Sequence, residues 1–476
     1  MGGWSTIFRQ TSESLQYQLD MLGRLSTQIS SGVRFHKGSD APTEAARLLQ
    51  LRTMDMRGES CQENLRTVTD SLQQGAQVLQ EISSVLIRAR ELAAQGASGT
   101  YGASQRIAIS HEIDALLEQT LFLVNSRTSG QYFLGGGNSF HEPFVAERTD
   151  GVITAVRYQG GQDDLPVTVA PGVDYPAQLV GSTATRLTGR QAPEFIGPTG
   201  LAGGSGTSSV EGPQYVLVTH ATTTYGGAGV AAGASSATLD TALGRRTLHV
   251  DMIAQTVSLD GGPAVSFAGA PDLGDLAVTD ATGDRLYVDL TGVAGAFVGD
   301  VTVESTARLS IDGGATSVEV LPGTSADVAL VDSRSERVLW VDPVSLARTG
   351  TESVRVGGTG DIFQVLIDLR DVLRNSRSLP QDQQMELLNH TVNSLDEATA
   401  AVVSHATLAG GRLQALDNLG ESLTNLRNHL QDEKNAMQNV DIAQLATELA
   451  RMQTLYQMTL QASSRLLSLN LMDFLR

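Results

Sequence analysis

The sequence predicts an α+β multidomain protein. Helices from both termini are expected to form a long antiparallel coiled-coil-like rod, with an inserted β-rich region of one or two small antiparallel domains. Apolar residues recur at spacings of three and four near both ends, as in paired helices, whereas between about 145 and 358 they alternate with polar residues. A chain of 476 residues also exceeds the usual size of one compact domain.

The first predicted helix lies near the N-terminus. Its apolar stripe consists of Leu15, Leu19, Leu22, Leu25 and Ile29. Gly32 can adopt the left-handed conformation that commonly ends a helix, so a break is expected there. Ser39 or Asp40 can cap the N-terminus of a second helix. Pro42 fits the first turn of that helix and Glu44 favours its positive end.

This second helix is expected to be long and to carry a narrow apolar seam. The seam residues are Leu51, Met54, Gly58, Cys61, Leu65, Val68, Leu72, Gly75, Leu79, Ile82, Leu86, Ala89 and Ala93. A helix over residues 42–96 would be about 80 Å long, so it needs a long partner. After glycines at 96, 99 and 102, residues 103–126 are expected to form an antiparallel neighbour.

The C-terminal part of the chain has a similar pattern. Its long seam consists of Leu388, Val392, Leu395, Val402, Ala406, Ala409, Leu413, Leu416, Gly420 and Leu423. A last helix, over about 441–468, carries Leu445, Leu449, Met452, Leu460 and Leu467, and Leu471 and Phe474 lie in the apolar end that follows. Glycine on these seams costs about 1 kcal/mol of helix stability relative to alanine. Packing against other helices has to supply that difference.

Short segments rich in Val, Thr, Ile and aromatic residues occupy the middle of the chain and predict strands. They are residues 152–158, 215–218, 248–257, 286–290, 301–311 and 337–341. Residues 197–206 and 222–233 are rich in small residues and are expected to be loops or flexible links. Because the helical pattern resumes at Asp361, the β-rich region is interpreted as an insertion.

The overall charge argues against nucleic acid and membrane as partners. The formal net charge is −19 at pH 7, whereas binding to phosphate groups relies on clustered Lys and Arg. The single cysteine, Cys61, excludes an intrachain disulfide and a multi-cysteine metal site. Membrane insertion is not expected, because the sequence has no run of about 18 apolar residues. A cleavable signal peptide is not expected either, because the N-terminus lacks a basic region followed by an apolar one.

No catalytic, cofactor or metal site is predicted, and the chain is not expected to be an enzyme. His111 and Glu112 lack the second histidine of a zinc-protease motif and are interpreted as surface residues. The three glycines at 135–137 follow no strand–helix pattern, so a turn is favoured over a phosphate loop. Asp280 and Asp284 lack the alternating ligands of a calcium loop.

The apolar stripes of the terminal helices are the predicted functional surface. An amphipathic helix usually packs on its own core, but narrow seams at both ends of one chain favour pairing with other long helices. The predicted assembly residues are Leu15, Leu19, Leu22, Leu25, Ile29, Leu445, Leu449, Met452, Leu460, Leu467, Leu471 and Phe474. The terminal helices are expected to gain order when neighbouring molecules bury them.

These patterns divide the chain into five predicted segments. They are an N-terminal assembly helix at 1–38, the N-terminal half of the rod at 39–144, the β-rich insertion at 145–358, the C-terminal half of the rod at 359–438 and a C-terminal assembly helix at 439–476.

Two motifs in the helical part resemble the bacterial flagellin family. The first is Gln28-Ile29-Ser30-Ser31-Gly32-Val33-Arg34-Phe35, followed by Gly38-Ser39-Asp40-Ala41-Pro42 and Ala45-Ala46-Arg47. The second is Ile87-Arg88-Ala89-Arg90-Glu91-Leu92-Ala93-Ala94-Gln95, with Gly99-Thr100 and Glu112-Ile113. The resemblance covers residues 5–145 and 360–476 and does not extend into the middle. It implies a self-assembling structural component of the bacterial flagellum.

Within that family, further residues resemble the type found at the junction between hook and filament. They are Gly130-Gln131-Tyr132-Phe133-Leu134-Gly135-Gly136 with Pro143-Phe144, the ending Leu469-Asn470-Leu471-Met472-Asp473-Phe474-Leu475, and Tyr158-Gln159-Gly160-Gly161. Arg476 and the large insertion depart from that type, so filament flagellin is the alternative. An unrelated coiled-coil adhesin and a carbohydrate-processing β-domain are the remaining function classes.

The resemblance also implies a location and partners. The location is extracellular, in the flagellum, reached through the flagellar type III export apparatus without a cleaved signal peptide. The implied partners are the hook-end hook-associated protein, flagellin, copies of the chain itself and an export chaperone on the C-terminal helix.

Overall fold

The computed structural model describes residues 3–35, 37–39, 41–128, 130–270, 272–324 and 327–474, with the backbone alone at 3–5, 7–8 and 466–474. The chain divides into two compact units. Unit 1 contains residues 1–70, 166–177 and 412–476, and unit 2 contains residues 71–165 and 178–411.

Five of the helices in the described residues are longer than twenty residues. The helices are α1 (Gly3–Ser31), α2 (Pro42–Gly96), α3 (Ala103–Val124), α4 (Gly181–Thr185), α5 (Ser236–Leu239), α6 (Ile362–Arg374), α7 (Gln381–Gln438) and α8 (Ile442–Phe474). Helix α2 begins at Pro42 and ends at Gly96, as predicted. Gly32 follows α1 with a φ of 69° and donates its backbone N–H to the Gln28 carbonyl at 2.9 Å, which confirms the predicted C-terminal cap. Asp40 lies outside the described residues.

The strands lie between α3 and α6. They are β1 (Arg127–Thr128), β2 (Gln131–Tyr132), β3 (Phe144–Thr149), β4 (Val152–Tyr158), β5 (Pro166–Ala170), β6 (Val173–Pro176), β7 (Pro193–Ile196), β8 (Ala202–Gly203), β9 (Gly212–Tyr225), β10 (Ala231–Ala232), β11 (Gly244–Asp251), β12 (Thr256–Leu259), β13 (Val265–Ser266), β14 (Leu276–Thr279), β15 (Arg285–Asp289), β16 (Val298–Ser310), β17 (Val318–Val320), β18 (Val328–Val331), β19 (Val338–Asp342) and β20 (Gly350–Val356). Neighbouring strands pair antiparallel, for example β9 with β16 and β9 with β20. The predicted fold class is therefore confirmed: long helices from both ends and an inserted antiparallel β-rich region.

Within unit 1, α2 and α7 run antiparallel. Arg47 contacts Glu433 at 2.5 Å, and the Gln62 amide donates to the Thr424 hydroxyl at 3.0 Å. A Cβ on Gly58 would lie 3.2 Å from the side chain of Arg427. The helices therefore approach each other closely at this seam glycine.

Within unit 2, α2 has more neighbours than α7 alone. Arg90 contacts Asp396 of α7 at 2.5 Å, whereas Arg88 contacts Glu112 of the antiparallel helix α3 at 3.3 Å. The guanidinium of Arg106 in α3 donates to the carbonyl of Gly96, the last residue of α2, at 3.1 Å. This bond satisfies a carbonyl that the helix end leaves free.

The predicted seam of α2 is correct in position but not in width. Every predicted seam residue is buried except Met54, which is exposed. From residue 75 onward additional side chains are buried, among them Val78, Val85 and Leu92. The seam is wider there because α2 has helices on more than one side, which the three-four spacing does not reveal.

One sheet of unit 2 contributes residues to two separate apolar cores. Its strand order is β13-β12-β11-β16-β9-β20-β7, with β17 also paired to β16. The first core contains Val218 of β9 and Leu309 of β16, and the second contains Val303 of β16 together with Leu248 of β11. The β-rich region therefore has two apolar cores, as two small domains would, but one continuous sheet joins them.

Several segments of the β-rich region differ from their predicted structure. The short strands β8 and β10 lie in segments that were predicted as loops. Residues 248–257 form parts of two strands, because the Asp251 carboxylate accepts hydrogen bonds from the backbone N–H groups of Ile253 and Ala254 and Gln255 has a φ of 57°. A turn results where a continuous strand was predicted. Residues 222–225 continue β9 although they were predicted as a loop, since Thr222 and Thr306 are joined across β9 and β16 by a hydroxyl contact of 2.8 Å.

The glycines at 135–137 form a close-packed turn, as predicted. The backbone N–H of Gly136 donates to the Leu179 carbonyl at 3.2 Å, and that of Gly137 donates to the Asp163 carbonyl at 2.8 Å. Both N–H groups are therefore already bonded to carbonyl oxygens. Gly136 has a φ of 56°, and a Cβ there would lie 2.5 Å from the Gly161 carbonyl oxygen.

Gly136→Ala is expected to destabilise the protein by roughly 2–4 kcal/mol, because the methyl group adds a steric clash to the strain of a positive φ. Gly151→Ala is the matched control: Gly151 has a φ of 81° and open space around its Cβ position, so a loss of about 1 kcal/mol is expected. Urea unfolding of both variants measures the difference. Equal losses would contradict the close approach at Gly136.

Asp361 caps the N-terminus of α6. Its carboxylate accepts a hydrogen bond from the backbone N–H of Gln364 at 2.9 Å. Burial raises the pKa of Asp361 to about 6, because desolvation disfavours the charged form. The cap thus places an ionisable carboxyl group in a half-buried position.

Asp361→Asn is expected to keep the cap and to flatten the pH dependence of stability. Between about pH 4 and pH 6 the folded chain holds this proton more tightly than the unfolded chain, so the contribution of Asp361 to stability falls as pH rises, by on the order of 2–3 kcal/mol. Urea unfolding from pH 4 to pH 7 compares the two proteins. Parallel pH profiles would show that Asp361 does not titrate in this window.

Candidate assembly interface

The terminal helices α1 and α8 pack against each other in unit 1. The less exposed side chains of α1 are Thr11, Leu15, Gln18, Met21, Leu22, Leu25, Gln28 and Ile29, and those of α8 up to residue 465 are Leu445, Leu449, Met452, Tyr456, Thr459 and Ser463. The pair is antiparallel, because Gln18 bonds Thr459 while Val33 bridges Asn439. The three-four spacing on both helices is that of a coiled-coil seam.

The structure brings most of the predicted assembly residues into this intrachain seam, so α1 and α8 bury each other's apolar stripes within one chain, whereas the sequence predicts that neighbouring molecules bury them. Leu25 is buried, with 7% of its surface exposed, and the half-buried members are Leu15, Leu22, Ile29, Leu445, Leu449 and Met452. Leu19 and Leu460 instead point away from the seam, with 49% and 43% of their surfaces exposed. Leu467, Leu471 and Phe474 belong to α8 by their backbone, and their side chains lie outside the described part of the chain.

Other large apolar side chains are exposed on the outside of the helix pair. Tyr17 is 63% exposed on α1, and Met458 is 60% exposed on α8 beside the exposed Leu455. Tyr17, Leu19, Leu455, Met458 and Leu460 are called the outer apolar residues below. Tyr17, Leu455 and Met458 were not predicted, because they lie outside the single apolar stripe of each helix. The sequence feature that could have revealed them is that each is an apolar residue on the otherwise polar face of its helix.

The segment that links α1 to α2 lies beside the segment that links α7 to α8. The backbone N–H of Arg34 donates to the Gln438 carbonyl at 2.8 Å, and that of Val440 donates to the Gly32 carbonyl at 3.3 Å. Asp441 caps α8, accepting a hydrogen bond from the backbone N–H of Ala443 at 3.0 Å. The α1–α8 pair is therefore joined to the rest of unit 1 through two hydrogen-bonded linkers.

A short hairpin from the predicted insertion packs on the helices of unit 1. Strands β5 and β6 form this hairpin. The Asn64 amide donates to the Thr168 carbonyl at 2.9 Å, and the Tyr175 hydroxyl donates to the Arg412 carbonyl at 3.2 Å. The hairpin thus packs against both α2 and α7 and is hydrogen-bonded to each of them.

The residues that resemble the junction type meet in unit 2. The Tyr158 hydroxyl lies 2.8 Å from the Gly161 carbonyl oxygen and 3.2 Å from that of Leu134. The rings of Tyr158 and Phe144 pack edge to face with centroids 5.0 Å apart. A Cβ on Gly181 would lie within 3 Å of all three, Leu134, Phe144 and Tyr158. Motifs from 130–144 and 158–161 are therefore parts of one packed cluster.

The groups considered for catalysis or metal binding are engaged in structural contacts. Asp280 and Asp284 lie 3.5 Å and 3.8 Å from the guanidinium of Arg246, and Asp284 also contacts Arg348 at 3.1 Å. Over the described ranges, three or more His, Cys, Asp or Glu side chains nowhere gather as a metal site would require. None of the helices in the described residues is long and apolar enough to cross a bilayer.

Comparisons with known proteins find a family match for the N-terminal part. Residues 6–139 match the family model of the bacterial flagellin N-terminal helical region. A comparison with curated proteins gave no match. Similar solved structures include the crystal structure of Xanthomonas campestris FlgL, with 18% identity, coverage of 82% of this chain and 99% of that chain, and a TM-score of 0.43. The flagellar junction protein FlgL from Legionella pneumophila has 12% identity, coverage of 83% and 99%, and a TM-score of 0.40.

The matched region spans α1, α2 and α3 and ends within the segment 130–144. Both motifs on which the resemblance rests, at 28–47 and 87–113, lie inside it. Residues 6–139 are therefore similar to the bacterial flagellin N-terminal helical region, the family that the residues of this part of the chain resemble.

Proposed function

We propose that the chain is a structural adaptor of the bacterial flagellum that joins hook and filament. The flagellin N-terminal helical region at 6–139 carries the assignment to the flagellum. The residues that resemble the junction type, packed together around Tyr158 and Phe144, support the adaptor over filament flagellin. The role is mechanical and assembly-based. It requires neither catalysis nor a cofactor, nucleic acid or membrane insertion.

The α1–α8 pair supplies the assembly surface of this adaptor. Its inner seam holds the two ends of the chain together, and the outer apolar residues remain in solvent. Burying a large apolar side chain contributes about 1.5–3 kcal/mol, so covering several of them in a neighbouring molecule offsets the cost of association. The neighbours are the hook-end hook-associated protein on one side, flagellin on the other, and copies of this chain within one ring.

The same surface explains how the chain is kept from assembling before export. A chaperone bound to α8 would cover Leu455, Met458 and Leu460 until the chain passes unfolded through the flagellar type III apparatus. The final location is extracellular. The acidic net charge of −19 favours solubility there.

A deletion strain tests this function. Cells without the chain are expected to make flagellin and to release it unassembled, and the wild-type gene is expected to restore filaments. Hooks that still carry full filaments would contradict the adaptor role. Purified chain that polymerises alone into long filaments would instead assign it as filament flagellin.

A further inference from the structure

Gln18 is a polar residue in the seam of α1, between the seam residues Leu15 and Leu22. Leu15, Leu22 and Ile29 form one line at intervals of seven on the inner face, and Thr11, Gln18 and Leu25 form the second line. On α8 the corresponding lines contain Leu445, Met452 and Thr459, and Leu449, Tyr456 and Ser463. The repeat of seven means that a shift of one heptad would superimpose most apolar positions.

Gln18 makes a specific contact in the seam. Its amide N–H donates to the Thr459 hydroxyl oxygen at 3.2 Å, and the Thr459 hydroxyl donates in turn to the Leu455 carbonyl at 2.8 Å. The Gln18 amide oxygen is shielded from solvent and has no hydrogen-bond partner among the described residues. A leucine would avoid this unpaired oxygen, so the glutamine is not explained by stability.

We propose that the Gln18–Thr459 pair fixes the register of the α1–α8 seam. In the observed antiparallel register, Gln18 lies opposite Thr459 and Leu25 lies about one heptad further on, near Met452. A shift of seven residues would place Gln18 opposite Met452, where its amide finds no hydroxyl. The Gln18–Thr459 pair therefore separates two registers that the apolar residues of the seam do not distinguish.

The register matters for the surface that the helix pair presents. Leu19 on α1 and Met458 on α8 are carried by different helices, so their relative position along the seam changes with register. A shift of one heptad moves one helix by about 10 Å against the other. The linker contacts at Val33 and Asn439 fix one end of the pair, about 15 residues from Gln18, which corresponds to roughly 20 Å of helix.

Distance measurements between spin labels test the proposal. The full-length chain with Cys61→Ala carries labels at Ser14→Cys and Gln461→Cys, both exposed, and is measured below the concentration at which it assembles. Gln18→Leu removes the polar pair, and Gln16→Leu is the control because Gln16 is exposed on the same helix. Thr459→Leu is a second variant that removes the same pair from the other side.

The proposal expects one distance in the labelled parent and in Gln16→Leu. It expects a second population in Gln18→Leu and in Thr459→Leu, displaced by about 10 Å along the helix axis. A single unchanged distance in both seam variants, with retained helix content by circular dichroism, would overturn the proposal and assign the register to the linkers. Loss of the helix pair in both variants would also overturn it, since the contact would then serve stability.

Discussion

Leu25→Asp is expected to separate α1 from α8 in the isolated chain. Leu25 is the most deeply buried described side chain of α1, at 7% exposure, and a carboxylate there has no cation among its seam neighbours. Loss of the apolar contacts and burial of the charge cost about 3 kcal/mol. Hydrogen exchange is expected to become fast over both helices, while exchange in unit 2 stays unchanged.

Leu19→Asp is the matched control. Leu19 lies on the same helix as Leu25 but outside the seam. Leu19 is half exposed, so an aspartate there remains hydrated and the exchange of α1 and α8 should match the wild type. Both variants are expected to lose assembly with flagellar partners, but only Leu25→Asp is expected to lose the intrachain pair. Fast exchange in both variants would place Leu19 in the seam and contradict the geometry described.

Asp368→Leu is expected to destabilise unit 2 by about 3–5 kcal/mol, because it leaves a buried arginine without its counter-charge. Asp368 in α6 forms an ion pair with Arg355 in β20, and both side chains are at least nine-tenths buried. Asp368 also accepts a hydrogen bond from the Tyr215 hydroxyl at 2.9 Å. Two nitrogens of Arg355, Nε and Nη2, have no partner among the described residues even with Asp368 present.

The double variant Asp368→Leu with Arg355→Met separates charge from packing. Replacing both charges with apolar groups is expected to recover most of the lost stability, since buried ion pairs contribute little net stability over apolar substitutes. Urea unfolding of the wild type, both single variants and the double variant completes the cycle. A double variant as unstable as Asp368→Leu would show that shape, and not the unpaired charge, is responsible.

The helical part could be predicted closely because its signals are local. Pro42 at the start of α2, the glycine at its end and the heptad spacing between them together define the helix. The burial of Cys61 and Val68 follows from the same spacing. These features require no knowledge of distant parts of the chain.

The pairing of α1 with α8 was not predicted, because it joins residues more than 400 positions apart. The stripe on each helix is compatible with a partner in the same chain or in a neighbour, and periodicity does not distinguish them. Tyr17, Leu455 and Met458 were not predicted for the same reason. Met458, for example, can be recognised as an outer residue only once Met452 is assigned to the inner seam. Likewise, the turn after Asp251 depends on side-chain hydrogen bonds that an alternating pattern does not record.

The central claim is that neighbouring molecules cover the outside of the α1–α8 pair in the flagellum. Hydroxyl-radical footprinting of the purified chain and of isolated flagella tests it at Tyr17 and Met458, with Ile253 of unit 2 as an exposed reference. We expect strong oxidation of all three in the free chain, and protection of Tyr17 and Met458 but not Ile253 in flagella. Equal oxidation of Tyr17 and Met458 in both samples would contradict it.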